Sequence, residues 1–139
     1  MKNKVAWAAG FFDGEGSIAI CRQSKPNDHL YYMRCEVTNT HRASLEIFQQ
    51  LFGGKVYEKS QRGNRKPSFV WRASGPVAAQ MLEDLYPYLV VKKERAELAI
   101  LFQADRTEVG SGGRHTPEIR KQSVRDHAAM AQLNARGVN

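Results

Sequence analysis

Hydrophobic and polar positions along this chain follow two periods, and each change of period marks a new element. From Lys4 to Phe12 the spacing is helical, with Trp7 and Phe11 one turn apart and able to face a core. Ala6 and Gly10 share a different face made only of small residues, and Gly14 and Gly16 are expected to break the helix. From Ser17 to Gln23 the period shortens to two. Ile18 and Ile20 point one way, and Ser17, Ala19, Cys21 and Gln23 the other. Lys25-Pro26-Asn27-Asp28 reads as a turn. Leu30 to Thr38 predicts a second strand, with Tyr31, Met33, Cys35 and Val37 on one face and Tyr32, Arg34 and Glu36 on the opposite one.

The alternation of helix and paired strands then repeats. Ala43 to Phe52 reads as a helix with Leu45, Phe48 and Phe52 on its apolar face, ended by Gly53-Gly54. Lys55 to Lys59 predicts a third strand, with Lys55, Tyr57 and Lys59 on one side. After a polar loop over Ser60 to Lys66, Phe69 to Ser74 predicts a fourth, with Phe69, Trp71 and Ala73 facing one way and Ser68, Val70 and Arg72 the other. Gly75-Pro76 opens a helix with Val77, Met81, Leu82 and Leu85 as its apolar face, stopped at Pro87. Val90 to Ala104 predicts another. Gly110 to Gly113 reads as a linker, and Thr116-Pro117 as the start of a last helix reaching Leu133. Strands in adjacent pairs argue for an antiparallel sheet with helices on one face, an α+β architecture. The expected organisation is a single domain over 1–139, with a core to about residue 105 and a basic helical tail from about 114 to 136.

Composition narrows the class. With 42% hydrophobic and 25% charged residues the chain is neither disordered nor fibrous, and no apolar run approaches the about 20 residues of a membrane span. Asp13 and Glu15 interrupt the alanine-rich start too early for a secretory signal. Cys21 and Cys35 have no metal-ligand spacing and read as free thiols of a reducing compartment, so an intracellular, cytoplasmic or organellar protein is expected rather than a secreted one. The net charge of +7 favours a polyanionic partner. The strand faces turned away from the core sharpen this. Together they carry Gln23, Arg34, Lys55, Lys59 and Arg72, interleaved with Tyr32 and Tyr57. Ribbons of this kind fit the DNA major groove, where arginine and lysine read guanine edges.

The densest chemistry lies between Trp7 and Ser17. There a helix with a small-residue face runs into Asp13-Gly14-Glu15-Gly16. A carboxylate beside a free backbone carbonyl offers the hard oxygen ligands that suit Mg2+. The same residues could equally form a helix end followed by a polar turn.

The segment Ala8-Ala9-Gly10-Phe11-Phe12-Asp13-Gly14-Glu15-Gly16 resembles the nine-residue motif of the LAGLIDADG homing endonucleases. It has conservative changes at the first, fourth and fifth positions, and Glu15 stands at the acidic eighth. The αββαββα order and the stretch from Tyr86 to Leu98, similar to the family's PYL…KxxQAxL region, extend the resemblance over roughly the first hundred residues. The resemblance implies an antiparallel four-stranded, saddle-shaped sheet that binds double-stranded DNA, and metal-dependent hydrolysis of phosphodiester bonds on a long near-palindromic site. Only one motif copy is present, so a homodimer is implied, with Ala6, Ala9, Gly10 and Asp13 near the seam. Carried over residue by residue, Glu15 and the Gly14 carbonyl would bind Mg2+, with Mn2+ or Ca2+ as substitutes. Asp13 would be mainly structural. Lys92, with Lys93 as its competitor, would position water or neutralise phosphate, and Asn39 would bind water. A further basic residue of some members would fall at Arg42 or Ala43. The DNA-facing set would be Ala19, Cys21, Gln23, Tyr32, Arg34, Glu36, Lys55, Tyr57, Lys59, Ser68, Val70 and Arg72. His41, His115 and His127 are assigned no role, and neither a membrane nor a small-molecule substrate is expected. The alternatives are an intron RNA maturase or a catalytically silent DNA-binding regulator on the same fold.

Overall fold

The computed structural model describes residues 2–59, 63, 66–109 and 116–136. Ser60 to Arg62, Asn64 and Arg65 of the expected polar loop, Gly110 to Gly113 of the expected linker, and Arg114 and His115 after it lie outside the described residues. The elements run α1 (Lys2–Glu15), β1 (Gly16–Arg22), β2 (Tyr31–Asn39), α2 (Arg42–Phe52), β3 (Lys55–Lys59), β4 (Ser68–Ser74), α3 (Gly75–Leu85), α4 (Lys93–Val109) and α5 (Pro117–Arg136). A single 3-10 turn over Tyr86–Tyr88 separates α3 from α4. No helix among the described residues is long and apolar enough to cross a membrane.

The four strands form one antiparallel sheet in the order β1-β2-β4-β3. The pleat divides them as the alternation predicts. Ile18, Ile20, Met33, Cys35, Val37, Trp71 and Ala73 are buried on one face, which the helices cover. Phe12 of α1, Phe48 of α2, Leu82 of α3 and Phe102 of α4 fill the space above it. Trp71 anchors the layer between sheet and α2, stacking on Phe48 at 5.3 Å and donating its Nε1–H to the Gly53 carbonyl at 2.8 Å. Gly54 follows with φ +80, and a Cβ there would lie 2.7 Å from the Arg72 carbonyl oxygen, so only glycine fits this turn into β3.

Several boundaries and faces differ from expectation. α1 does not break at Gly14 but continues to Glu15. Its core face is Ala8, Ala9 and Phe12, while Trp7 lies on the flank, 39% exposed and 6.0 Å from the Phe48 ring. In α3 the buried stripe is Ala78, Met81, Leu82 and Leu85, and Val77 is 44% exposed because it falls one residue outside that spacing. α4 starts at Lys93 rather than Val90. The last helix begins as expected, with the Thr116 hydroxyl accepting the Ile119 N–H at 3.2 Å. It packs on α4 and β1, buries Met130 and donates from Asn134 Nδ2 to the Ile18 carbonyl at 3.0 Å.

Candidate active site and nucleic-acid interface

The DGEG segment is built around contacts that its own sequence does not show. The Asp13 carboxylate accepts the backbone N–H of Val90 at 2.7 Å and that of Lys92 at 3.0 Å. These groups lead into α4, so a side chain from α1 caps the start of a helix nearly eighty residues later, where a carboxylate also meets the positive end of the helix dipole. In return the Lys92 ammonium donates to the Asp13 carbonyl at 2.6 Å. Lys92 is only 8% exposed. Burial and the neighbouring Arg95 guanidinium pull its ammonium below the usual lysine range, against the opposing pull of Asp13 and Glu15.

Gly14 and Glu15, the last residues of α1, are exposed. The Glu15 carboxylate stands on an exposed residue, and a Cβ on Gly14 would meet nothing within 4 Å beyond its own helix. The donor set at this helix end is thus an open carboxylate, carbonyls of the last helical turn and a nearby buried ammonium. Gly16 has a different reason to be glycine. A Cβ there would meet the Phe12 ring at 2.4 Å, so the chain passes into β1 directly over that ring.

The other candidates divide. Lys93 is exposed and its ammonium sits 5.0 Å from the Tyr86 ring centre, whereas Lys92 is the lysine placed at Asp13 and Glu15. Asn39 closes β2 and accepts the His41 N–H on Oδ1 at 2.8 Å, a local turn into α2. Arg42 pairs with Glu46 at 3.7 Å and lies 5.1 Å from the Phe69 ring centre, while Ala43 is exposed. His41 faces Ser44 Oγ at 2.5 Å and His127 stacks on Tyr31. Among the described residues no three His, Cys, Asp or Glu side chains gather at one point.

The outward face of the sheet is ordered in rows by the strand register. Ser17, Glu36, Arg72 and Lys55 form one row across all four strands. Ala19, Arg34 and Ser74 form the next, followed by Cys21 and Tyr32. On the other side lie Thr38, Val70 and Tyr57, then Ser68 with Lys59. Lys55, Tyr57, Lys59 and Arg72 are exposed; Ala19, Cys21, Tyr32, Arg34, Glu36 and Ser68 are half-buried. Gln23 lies just past β1, half-buried, with its N–H on the Leu30 carbonyl. Val70 departs from expectation. It points outward but is only 6% exposed, because it stands mid-sheet with Thr38 and Tyr57 directly beside it. Thr38 belongs to this face and was absent from the expected set. The alternation of β2 continued two residues beyond Glu36 would have found it.

The small-residue face of α1 also divides. Ala6 and Gly10 are exposed, and beyond its own helix backbone no atom of the described residues lies within 4 Å of a Cβ built on Gly10. Ala9, expected on the same seam, is fully covered by the chain's own core. Asp13 is half-buried in its clasp with the α4 start. Val90, bound to Asp13 at the end of the same helix, is 81% exposed.

No protein-family model and no curated protein matches this sequence. Solved structures match its fold. The homing endonuclease I-CvuI, crystallised with its target in the presence of 2 mM Ca, has a TM-score of 0.75 and 22% identity, covering 95% of this chain and 82% of that one. The archaeal intron-encoded homing endonuclease I-Vdi141I, complexed with DNA, has a TM-score of 0.78 and 17% identity, covering 95% and 84%. The LAGLIDADG homing endonuclease I-GzeII, in complex with its DNA target, has a TM-score of 0.65 and 14% identity, covering 91% of this chain and 43% of that one. The sheet order and helix placement are those of the LAGLIDADG homing endonuclease fold.

Proposed function

We propose that this chain, which has the fold of the LAGLIDADG homing endonucleases, is a site-specific double-strand DNA endonuclease. It acts as an intracellular homodimer on a long near-palindromic target and hydrolyses one phosphodiester bond per strand with a divalent metal. The observation that carries this reading is the placing of the exposed Glu15 within electrostatic reach of the buried Lys92 ammonium, itself held on the Asp13 carbonyl, at the end of α1, where the chain enters a cationic, aromatic sheet face. The complex of I-CvuI with its target and the DNA complex of I-Vdi141I support the partner.

The donor set suits Mg2+, which binds through one or two carboxylates, keeps several waters and completes its shell with substrate phosphate. Glu15 and the Gly14 carbonyl would hold it, and Mn2+ or Ca2+ could occupy the same oxygens. When bound, such an ion lowers the pKa of water and offsets charge on the phosphate. The chain's own residues do the remaining work. Asp13 fixes the Lys92 backbone, and Lys92 holds a positive charge where the phosphate gains negative charge. Asn39, with its Oδ1 taken by His41, offers its Nδ2 hydrogens to a water or phosphate oxygen.

One chain supplies one such site, and two cuts need two. Glycine in a helix interior costs about 1 kcal/mol relative to alanine, and nothing among the described residues requires it at Gly10. Close approach of a second α1 across Ala6 and Gly10, beside exposed Val90, accounts for it. This chain also spans 43% of I-GzeII, as one half of a longer protein would. On the sheet, Arg34 and Arg72 are the guanine readers, and Lys55 and Lys59 mix base and phosphate contacts.

The test is incubation of the protein with a randomised duplex library and Mg2+, followed by sequencing of cut ends. The expected product is one long near-palindromic site cut on both strands. Binding without cutting would instead indicate a silent regulator, and binding of intron RNA with rescue of splicing a maturase.

A further inference from the structure

On the outward sheet face one carboxylate is engaged by two guanidinium groups. Glu36 Oε2 accepts from Arg72 Nε at 2.6 Å and lies 2.6 Å from Arg72 Nη2. Glu36 Oε1 lies 3.4 Å from Arg34 Nη2. The register sets Glu36 and Arg72 directly opposite each other on β2 and β4. From the β3 side the Tyr57 ring stands 5.7 Å from the Arg72 guanidinium carbon.

Both Glu36 oxygens face guanidinium groups of its own sheet, so its place on this face is explained by what it does to its neighbours. Arg72 is held along its Nε–Nη2 edge and against one aromatic ring, which leaves the opposite part of its planar fork to face outward. A long side chain fixed in this way loses less rotamer freedom on binding and cannot swing to the nearest phosphate. Arg34 is held less completely, since its buried Nε has no hydrogen-bond partner among the described residues.

We propose that Glu36 is a positioning residue that locks Arg72, against Tyr57, as a guanine reader, and so sets base choice at one position in each half-site. This rests on the DNA-reading sheet proposed above. If Glu36 only balanced charge, its removal would change affinity for every sequence alike.

The experiment measures binding of the full chain to its selected target, and to targets altered one symmetric base-pair position at a time, across a range of salt and without divalent metal. The proteins are wild type, Glu36→Gln, Arg72→Ala and the double variant. Arg72→Ala is expected to lose roughly tenfold discrimination at one symmetric pair. Glu36→Gln is expected to flatten preference at that same pair, while affinity for random duplex holds or rises because a negative charge facing DNA is gone. In the Arg72→Ala background Glu36→Gln should change that pair no further, the non-additivity expected when one residue acts through another. Tyr57→Leu, at an exposed position, loosens Arg72 without touching Glu36 and should soften the same pair. Preference at that pair left intact by Glu36→Gln and Tyr57→Leu, uniform weakening across sequences, or additive effects in the double variant would overturn the proposal alone. A wild type with no base preference anywhere would overturn the DNA-reading sheet itself.

Discussion

Asp13 and Lys92 hold each other twice. The Asp13 carboxylate accepts the Lys92 backbone N–H at 3.0 Å, and the Lys92 ammonium donates to the Asp13 carbonyl at 2.6 Å. The clasp ties the end of α1 to the start of α4 and holds a buried cation beside Glu15. Asp13→Asn keeps one acceptor but turns an amide toward a backbone N–H. The expected loss is about 1–3 kcal/mol of folding stability, read as a lower melting temperature, together with reduced cleavage. An unchanged melting temperature would show that the clasp contributes little.

The two lysines in sequence should separate cleanly. Lys92→Met is expected to abolish cleavage while DNA binding stays within a few-fold, and Lys93→Met, whose cation rests on Tyr86, should cut normally. Equal losses in both would remove Lys92 from the site. Its depressed ammonium also fixes a sign for pH. The unfolded chain binds this proton more tightly than the folded one, so wild-type stability gains on Lys92→Met as pH rises from the depressed value to the ordinary lysine value of 10.5. Parallel unfolding curves of the two proteins against pH measure the gap.

Gly16→Ala tests the packing beneath the site. The added methyl would fall 2.4 Å from the buried Phe12 ring, and overpacking of this kind costs about 1–3 kcal/mol. Thermal melts should show the drop, and a melting temperature equal to wild type would contradict the close passage of β1 over Phe12.

Gly10→Leu tests assembly. The single chain has open space at this position, so the monomer should stay folded by circular dichroism. Two α1 helices packed across Gly10 have no room for the side chain, so sedimentation should show a monomer and cleavage should vanish. A wild type that sediments as a monomer yet cuts both strands would refute the dimer.

The sheet was legible in the sequence because the alternation in β2, from Tyr31 to Val37, is unbroken and sorts core from surface directly. Legibility failed where the deciding partner lies far along the chain. Asp13 reads as a helix-end carboxylate until the Val90 and Lys92 N–H groups, 77 and 79 residues away, are placed on it. The same contact explains why α4 starts at Lys93, since Val90 to Lys92 are held by Asp13 rather than by helical bonds. Val70 reads as a surface residue from the pleat alone, and only the order β1-β2-β4-β3 reveals that a strand lies on each side of it. Glu36 could be placed on the DNA face, but not paired with Arg72, because β2 and β4 are neighbours in space and not in sequence.

Cleavage by Glu15→Gln probes the proposed metal site at the end of α1. The exchange keeps size and removes the charge that a divalent ion requires, at an exposed helix end where it should leave the fold intact. Gel-shift affinity for the target should hold or rise slightly, because a negative charge beside the DNA backbone is lost. Strand scission in Mg2+ should fall by about 100-fold or more. A Glu15→Gln chain that cuts its target at the wild-type rate in Mg2+ would contradict both the metal assignment and the alignment of the motif.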